Sequence, residues 1–93
     1  MSEGFANISA GSLVWATAGR DKGSLFVAVR AGGGFVEIAD GRGRKVEKPK
    51  RKNIKHISPA GCPVYTGELT NKKIRRLLNE YLTHAPIQQT ADL

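Results

Sequence analysis

Several things are scarce in this chain, and each shortage removes a class of protein. Cysteine occurs once in 93 residues, at Cys62, so no internal disulfide can form, which fits a reducing compartment. Aromatics are 6% and hydrophobic residues 40% of the sequence, enough for one modest core and no second. No apolar run is long enough to span a bilayer, and the N-terminus lacks the basic and continuously apolar segments of a secretory signal. The expectation is a single cytoplasmic domain over residues 1–93, with no membrane contact. Two histidines are present, His56 and His84, neither at ligand spacing from the other or from Cys62. No metal and no cofactor are therefore expected. Paired carboxylates, and a nucleophile with a base beside it, are also missing. The chain is not read as an enzyme, and no residue is nominated as catalytic.

What the chain has is positive charge, formally +7, and the excess is local. Eight Lys or Arg residues lie between Arg42 and His56 (Arg42, Arg44, Lys45, Lys48, Lys50, Arg51, Lys52, Lys55) against one acid, Glu47. That window carries +7, and the remaining seven basic and seven acidic residues cancel. Confinement of the excess to one segment suggests a polyanionic partner, whereas a solvated basic loop is the plainer reading.

Met1 to Ala10 is small and polar with little pattern, and is expected to be loosely ordered at the start. Ser12 to Thr17 is a run of strand formers, and Ala18 to Gly23 reads as a turn bracketed by glycines. Leu25 to Val29 predicts a second strand, buried on both sides over part of its length, and Gly32-Gly33-Gly34 breaks it. Phe35 to Ala39 alternates as a third strand, and Asp40-Gly41 signals a hairpin. A fourth strand is expected near Arg44-Lys45-Val46 and a short fifth at Ile54 to Ile57, although isoleucines three apart fit a period of two poorly. Short turns between strands demand antiparallel pairing, and a small closed barrel leaves the fewest exposed edges. Pro59, Gly61 and Pro63 end the β region. Thr70 can cap a helix with an apolar stripe of Ile74, Leu77, Leu78, Tyr81 and Leu82, ending before Pro86 with a frayed tail from Ile87. The stripe is expected to cap an open end of the barrel. The predicted fold is mainly β: about five antiparallel strands over roughly residues 11–58, with a short C-terminal helix over about 70–84.

The run Val14-Trp15-Ala16-Thr17-Ala18-Gly19-Arg20-Asp21-Lys22-Gly23-Ser24-Leu25-Phe26-Val27 resembles the KOW motif, with Gly23 at the glycine where its loop enters the second strand. Ala39-Asp40-Gly41 and the stretch Glu47 to Ile57 are similar to small bacterial KOW proteins, which are related to KOW-type large-subunit ribosomal proteins of archaea and eukaryotes. The resemblance covers Gly11 to Ile57, and the helix more weakly. It implies an SH3-like barrel that binds RNA, often ribosomal RNA, without catalysis. The sequence departs from the pattern at Gly32-Gly33-Gly34, which has no side chain to read a base, and this argues against RNA contact from that edge.

Within that frame Arg20 and Lys22 supply charge beside glycines whose N–H groups can approach phosphate. The same glycines also suit a plain tight turn that Asp21 stabilises by an Asx bond. Pro49 extends the segment Lys48-Pro49-Lys50-Arg51-Lys52-Asn53 into a stiff ribbon, with Lys50 and Lys52 facing one way and Arg51 the other. Asn53 offers donors and acceptors to a base edge or a ribose hydroxyl. His56 is either a stacking or phosphate contact or a structural strand residue. Cys62 reads as a partly buried small residue, and Trp15 as core in preference to a stacking surface. Lys72, Lys73, Arg75 and Arg76 form a second basic patch on the helix, where Lys72 and Lys73 sit against the macrodipole. The expected partner is RNA, ribosomal RNA foremost, and with it the ribosome or its proteins. The competing expectation is an SH3-like interaction module docking an acidic protein.

Overall fold

The computed structural model describes residues 8–61 and 64–91, the side chains of 84–91 excepted. Cys62, Pro63 and the first seven residues lie outside the described residues, as does the His84 side chain, so the expectations on them stay expectations. Five antiparallel strands form one sheet: β1 (Leu13–Ala16), β2 (Leu25–Gly32), β3 (Phe35–Ala39), β4 (Lys50–Asn53) and β5 (Ile57–Pro59). Their spatial order is β4-β3-β2-β1-β5. A helix, α1 (Asn71–Ala91), follows.

The connection between the two outer strands shows that the sheet must curl. Laid flat, β4 and β5 would sit four strand spacings apart, or about 19 Å. Only Ile54–His56 joins them, as a 3-10 turn. At about 2 Å of rise per residue that turn covers roughly 8 Å from Asn53 to Ile57. The expected mainly β fold, a small antiparallel barrel with a C-terminal helix, is what forms.

Alternation along the strands builds two apolar layers. Val14, Ala16, Phe26, Ala28, Val36, Ile38 and Ile57 point inward and fill the barrel together with Ile8. Leu13, Leu25, Val27 and Ala39 face the other way and pack under Ile74 and Leu78 of α1. Leu25 to Ala28 are all buried, which gives the two-sided burial expected of β2. The helix therefore covers the outside of the barrel wall, and does not plug an open end as expected. A plug would have left Leu13, Leu25 and Val27 in water. Trp15 belongs to this outer layer, half-buried, with Tyr81 edge-on at 6.2 Å between ring centroids. Tyr81 in turn donates its hydroxyl hydrogen to the Ala60 carbonyl at 3.2 Å.

Four further expectations need correcting. Arg44-Lys45-Val46 is not a strand. Asp40 Oδ1 accepts from the Arg42 and Arg44 N–H groups at 2.9 Å each, and Val46 N–H donates to Asn71, so this backbone is already committed to a loop. Asp40-Gly41 accordingly opens a long connection to β4 and not a two-residue hairpin. Ile54 to His56 is the 3-10 turn, whose three residues per turn account for the isoleucine spacing that troubled a strand assignment. β5 starts only at Ile57 and includes Pro59, tolerable on an outer strand. Finally, α1 runs past Pro86 to Ala91, where an end and a tail were expected. Thr70 caps it as expected, accepting the Lys73 N–H at 3.1 Å. Of the stripe, Ile74 and Leu78 are buried and Leu77 and Tyr81 half-buried, while Leu82 is 49% exposed.

Candidate nucleic-acid interface

Strand direction decides which loops become neighbours. Trp15 pairs with Leu25 and Val27 pairs with Ala39, so β1 ends, β2 begins and β3 ends at one end of the barrel. The loop 17–24 and the loop 40–49 therefore share that end. Gly23 closes the first loop with φ near +88°, donating its N–H to the Ala16 carbonyl at 2.8 Å. A side chain there would be strained, which is the physical need for glycine where the loop enters β2.

Three tethers fix the 40–49 loop between its neighbours. Arg44 reaches Asp21 of the first loop at 3.1 Å. Arg75 of α1 donates to the Gly41 carbonyl at 2.7 Å. Asn71, the first residue of α1, accepts the Val46 N–H at 2.7 Å and donates to Glu47 at 2.9 Å. The helix start lies against Gly41 so closely that an added Cβ would come within 2.5 Å of the Asn71 carbonyl oxygen. One end of the molecule thus joins loop 17–24, loop 40–49 and the first turn of α1 into a continuous surface.

Exposed cations line it: Arg20 and Lys22 from the first loop, Arg42, Lys45 and Lys48 from the second, and Lys72 from α1. The carboxylates of the two loops are already engaged. Asp21 holds Arg44, Asp40 holds backbone N–H groups, and Glu47 holds Asn71. Among the described residues, the three ion pairs leave Arg20, Lys22, Arg42, Lys45, Lys48, Lys50, Arg51 and Lys55 without a carboxylate partner. Glu47 has its pKa lowered from the ordinary 4.5, chiefly by the hydrogen bond from Asn71 and then by one from its own backbone N–H; desolvation opposes these, and Lys45 contributes least.

The structure divides the remaining nominated residues. The ribbon Lys48 to Asn53 is no free strip, because residues 50–53 form β4 and pair with β3. Lys52 opposes Val36 and points inward with it; it is 9% exposed, and its ammonium donates to the Ala18 carbonyl at 2.9 Å. That side chain binds the protein and is not available to a ligand. Arg51 is exposed on the outer face, 4.8 Å from the centroid of the Phe35 ring, and Lys50 is exposed at the start of the strand. Asn53 caps the 3-10 turn, its Oδ1 accepting the Lys55 N–H at 2.9 Å, so its acceptor is taken. Lys55 and His56 are exposed on that turn, which the bond from Thr17 N–H to the His56 carbonyl holds beside the first loop. His56 is thus not a strand residue. Asp21 accepts from Arg44, and the turn-stabilising Asx bond weighed as the alternative for this loop is not its side-chain contact.

The second basic patch is mostly structural. Arg75 is the tether to Gly41, Arg76 pairs with Glu80 at 3.7 Å, and the Lys73 ammonium sits 5.2 Å from the Tyr65 ring centroid. Only Lys72 is left for the end surface. Asn71 was missed by sequence reasoning, and nothing local marks a cap-adjacent asparagine as a partner for Val46 and Glu47. Phe35 was missed as an exposed ring, although the opposite phase of Val36 and Ile38 carried the signal. Neither the models of known protein families nor the curated proteins give a match to this chain.

Proposed function

We propose that this is a non-enzymatic RNA-binding protein of the KOW type, holding structured RNA, ribosomal RNA foremost, as a ribosome-associated or assembly factor in the cytoplasm. The observation that carries the reading is the end surface, where cations from two loops and a helix start converge while the acids of those two loops are occupied by other partners. Like charges held together by tethers cost folding free energy, and a phosphate backbone relieves that cost. The motif resemblance points the same way. Phosphate neutralisation dominates affinity, and the rigid placement of the loops selects shape.

The test is a binding titration on a structured RNA across ionic strengths. With about five phosphates contacted, log K falls against log salt with a slope of roughly −3.5 to −4.5. Replacing Arg42, Lys45 and Lys48 together by Glu removes most of the affinity, and the circular dichroism spectrum stays unchanged because all three side chains are exposed. A flat salt response, or full binding by the triple variant, refutes the proposal. Capture of an acidic protein that persists after nuclease treatment would favour an interaction module instead.

A further inference from the structure

Away from the basic end, the outer face of β2-β3-β4 presents two rows across the sheet. Register places Arg30, Glu37 and Arg51 in one row, and Gly32, Phe35 and Asn53 in the next. Phe35 is 40% exposed, a large apolar ring left in water on a face where packing does not require it. Arg51 reaches it from the β4 side, with its guanidinium 4.8 Å from the ring centroid. From the β2 side nothing reaches it, since Gly32 has no side chain and a Cβ built on Gly32, Gly33 or Gly34 meets no atom within 4 Å. A shallow concavity of about 110 Å³ lies there, lined by Phe35, Gly32, Ala31, Arg30, Glu37 and Arg51. Arg30 is 3.7 Å from Glu37, which stands between the two guanidinium groups and reduces their mutual repulsion.

We infer that Phe35 is a stacking platform for one unpaired nucleobase, with Arg30 and Arg51 placed for the phosphates on either side of it. An aromatic face stacks any base, and arginine offers both a planar stacking surface and a phosphate contact. The glycine run, read from sequence as unable to recognise a base, here serves by leaving the slot open. The inference rests on the RNA-binding reading and adds to it a single-stranded element. β3 separates Phe35 from the basic end by about 13 Å, so one RNA with a duplex part and a short overhang can reach both.

The experiment compares a blunt RNA hairpin with the same hairpin carrying a single-stranded overhang that contains 2-aminopurine. Wild-type protein binds the overhang form about tenfold more tightly, at the lower end of base–aromatic stacking strength, and quenches the 2-aminopurine fluorescence. Phe35→Ala and Phe35→Leu erase both the tenfold difference and the quenching, Phe35→Tyr keeps them, and all variants bind the blunt hairpin as the wild type does. Should Phe35→Ala fail to fold, the contrast between Leu, which keeps apolar bulk, and Tyr, which keeps the π face, decides alone. An overhang advantage absent in the wild type, or surviving in Phe35→Leu, overturns the platform while leaving RNA binding intact. Wild-type protein that binds neither hairpin overturns both readings together.

Discussion

Lys52 and Lys50 differ by two positions in sequence and take opposite roles. Both project toward the face of β4 that carries the barrel interior, opposite Val36 and Ile38, but only Lys52 is covered. Its ammonium is stabilised by the Ala18 carbonyl at 2.9 Å, and its methylene stem packs where a hydrophobic side chain would otherwise stand. A hydrogen bond to a charged group contributes about 1.5–3 kcal/mol. Lys52→Ala should therefore lower stability by roughly 2 kcal/mol in urea unfolding, while Lys50→Ala shifts it by no more than about 0.5 kcal/mol. Equal midpoints for the two variants would show that the Lys52 bond contributes nothing. A charge reversal at Lys52 would set a carboxylate against a carbonyl oxygen and damage the fold, so it is unsuited to test binding. In the sequence the two lysines are equivalent members of one basic run, and only the pairing of β4 with β3 separates them.

At the scale of elements, the β3–β4 loop matters most, because its shape comes from both ends. Asp40 folds its first residues by accepting two N–H groups, and Asn71 fixes its middle from the helix. Glu47 responds to pH at this junction. The Asn71 amide donates to its carboxylate and so favours the ionised form, and the folded chain binds that proton less readily than the unfolded chain does. The stabilisation is complete above the ordinary value of 4.5 and is lost as pH falls through the lower folded value. Replacing Glu47 with Gln should make the acid limb of the stability profile shallower, read from urea midpoints across about pH 3 to 6. An unaltered acid limb would mean that the contact does not hold in solution. The helix itself was legible: its cap at Thr70 and its stripe from Ile74 to Tyr81 follow from spacing alone. Its docking site was not, since a stripe specifies that a face is buried and not what it is buried against.

For the whole molecule, the charge distribution sets two opposite responses to salt. A net charge of +7 on a small barrel, with six exposed cations gathered at one end, repels itself in the free protein, and added salt screens that repulsion. The melting temperature of the free protein should rise between about 20 and 300 mM salt, over the range in which RNA affinity falls. A melting temperature that drops with salt would indicate that the three ion pairs outweigh the unpaired cations. The proposed single-base slot on the outer sheet face offers Arg30 and Arg51 to phosphates, two contacts against about five at the basic end, so it should add the smaller share of the salt slope.

The sequence by itself determined the β content, the helix and the confinement of positive charge, because alternation, capping and composition act over neighbouring residues. Tertiary structure alone decided that β4 begins after Pro49, that the helix lies on the barrel wall, and that the basic run divides into an exposed end surface, a buried lysine and an arginine over a ring. The physical reason is that strand register and loop tethers join residues far apart in the chain. Lys52 to Ala18, Val46 to Asn71 and Arg75 to Gly41 are contacts whose partners carry no local mark of one another.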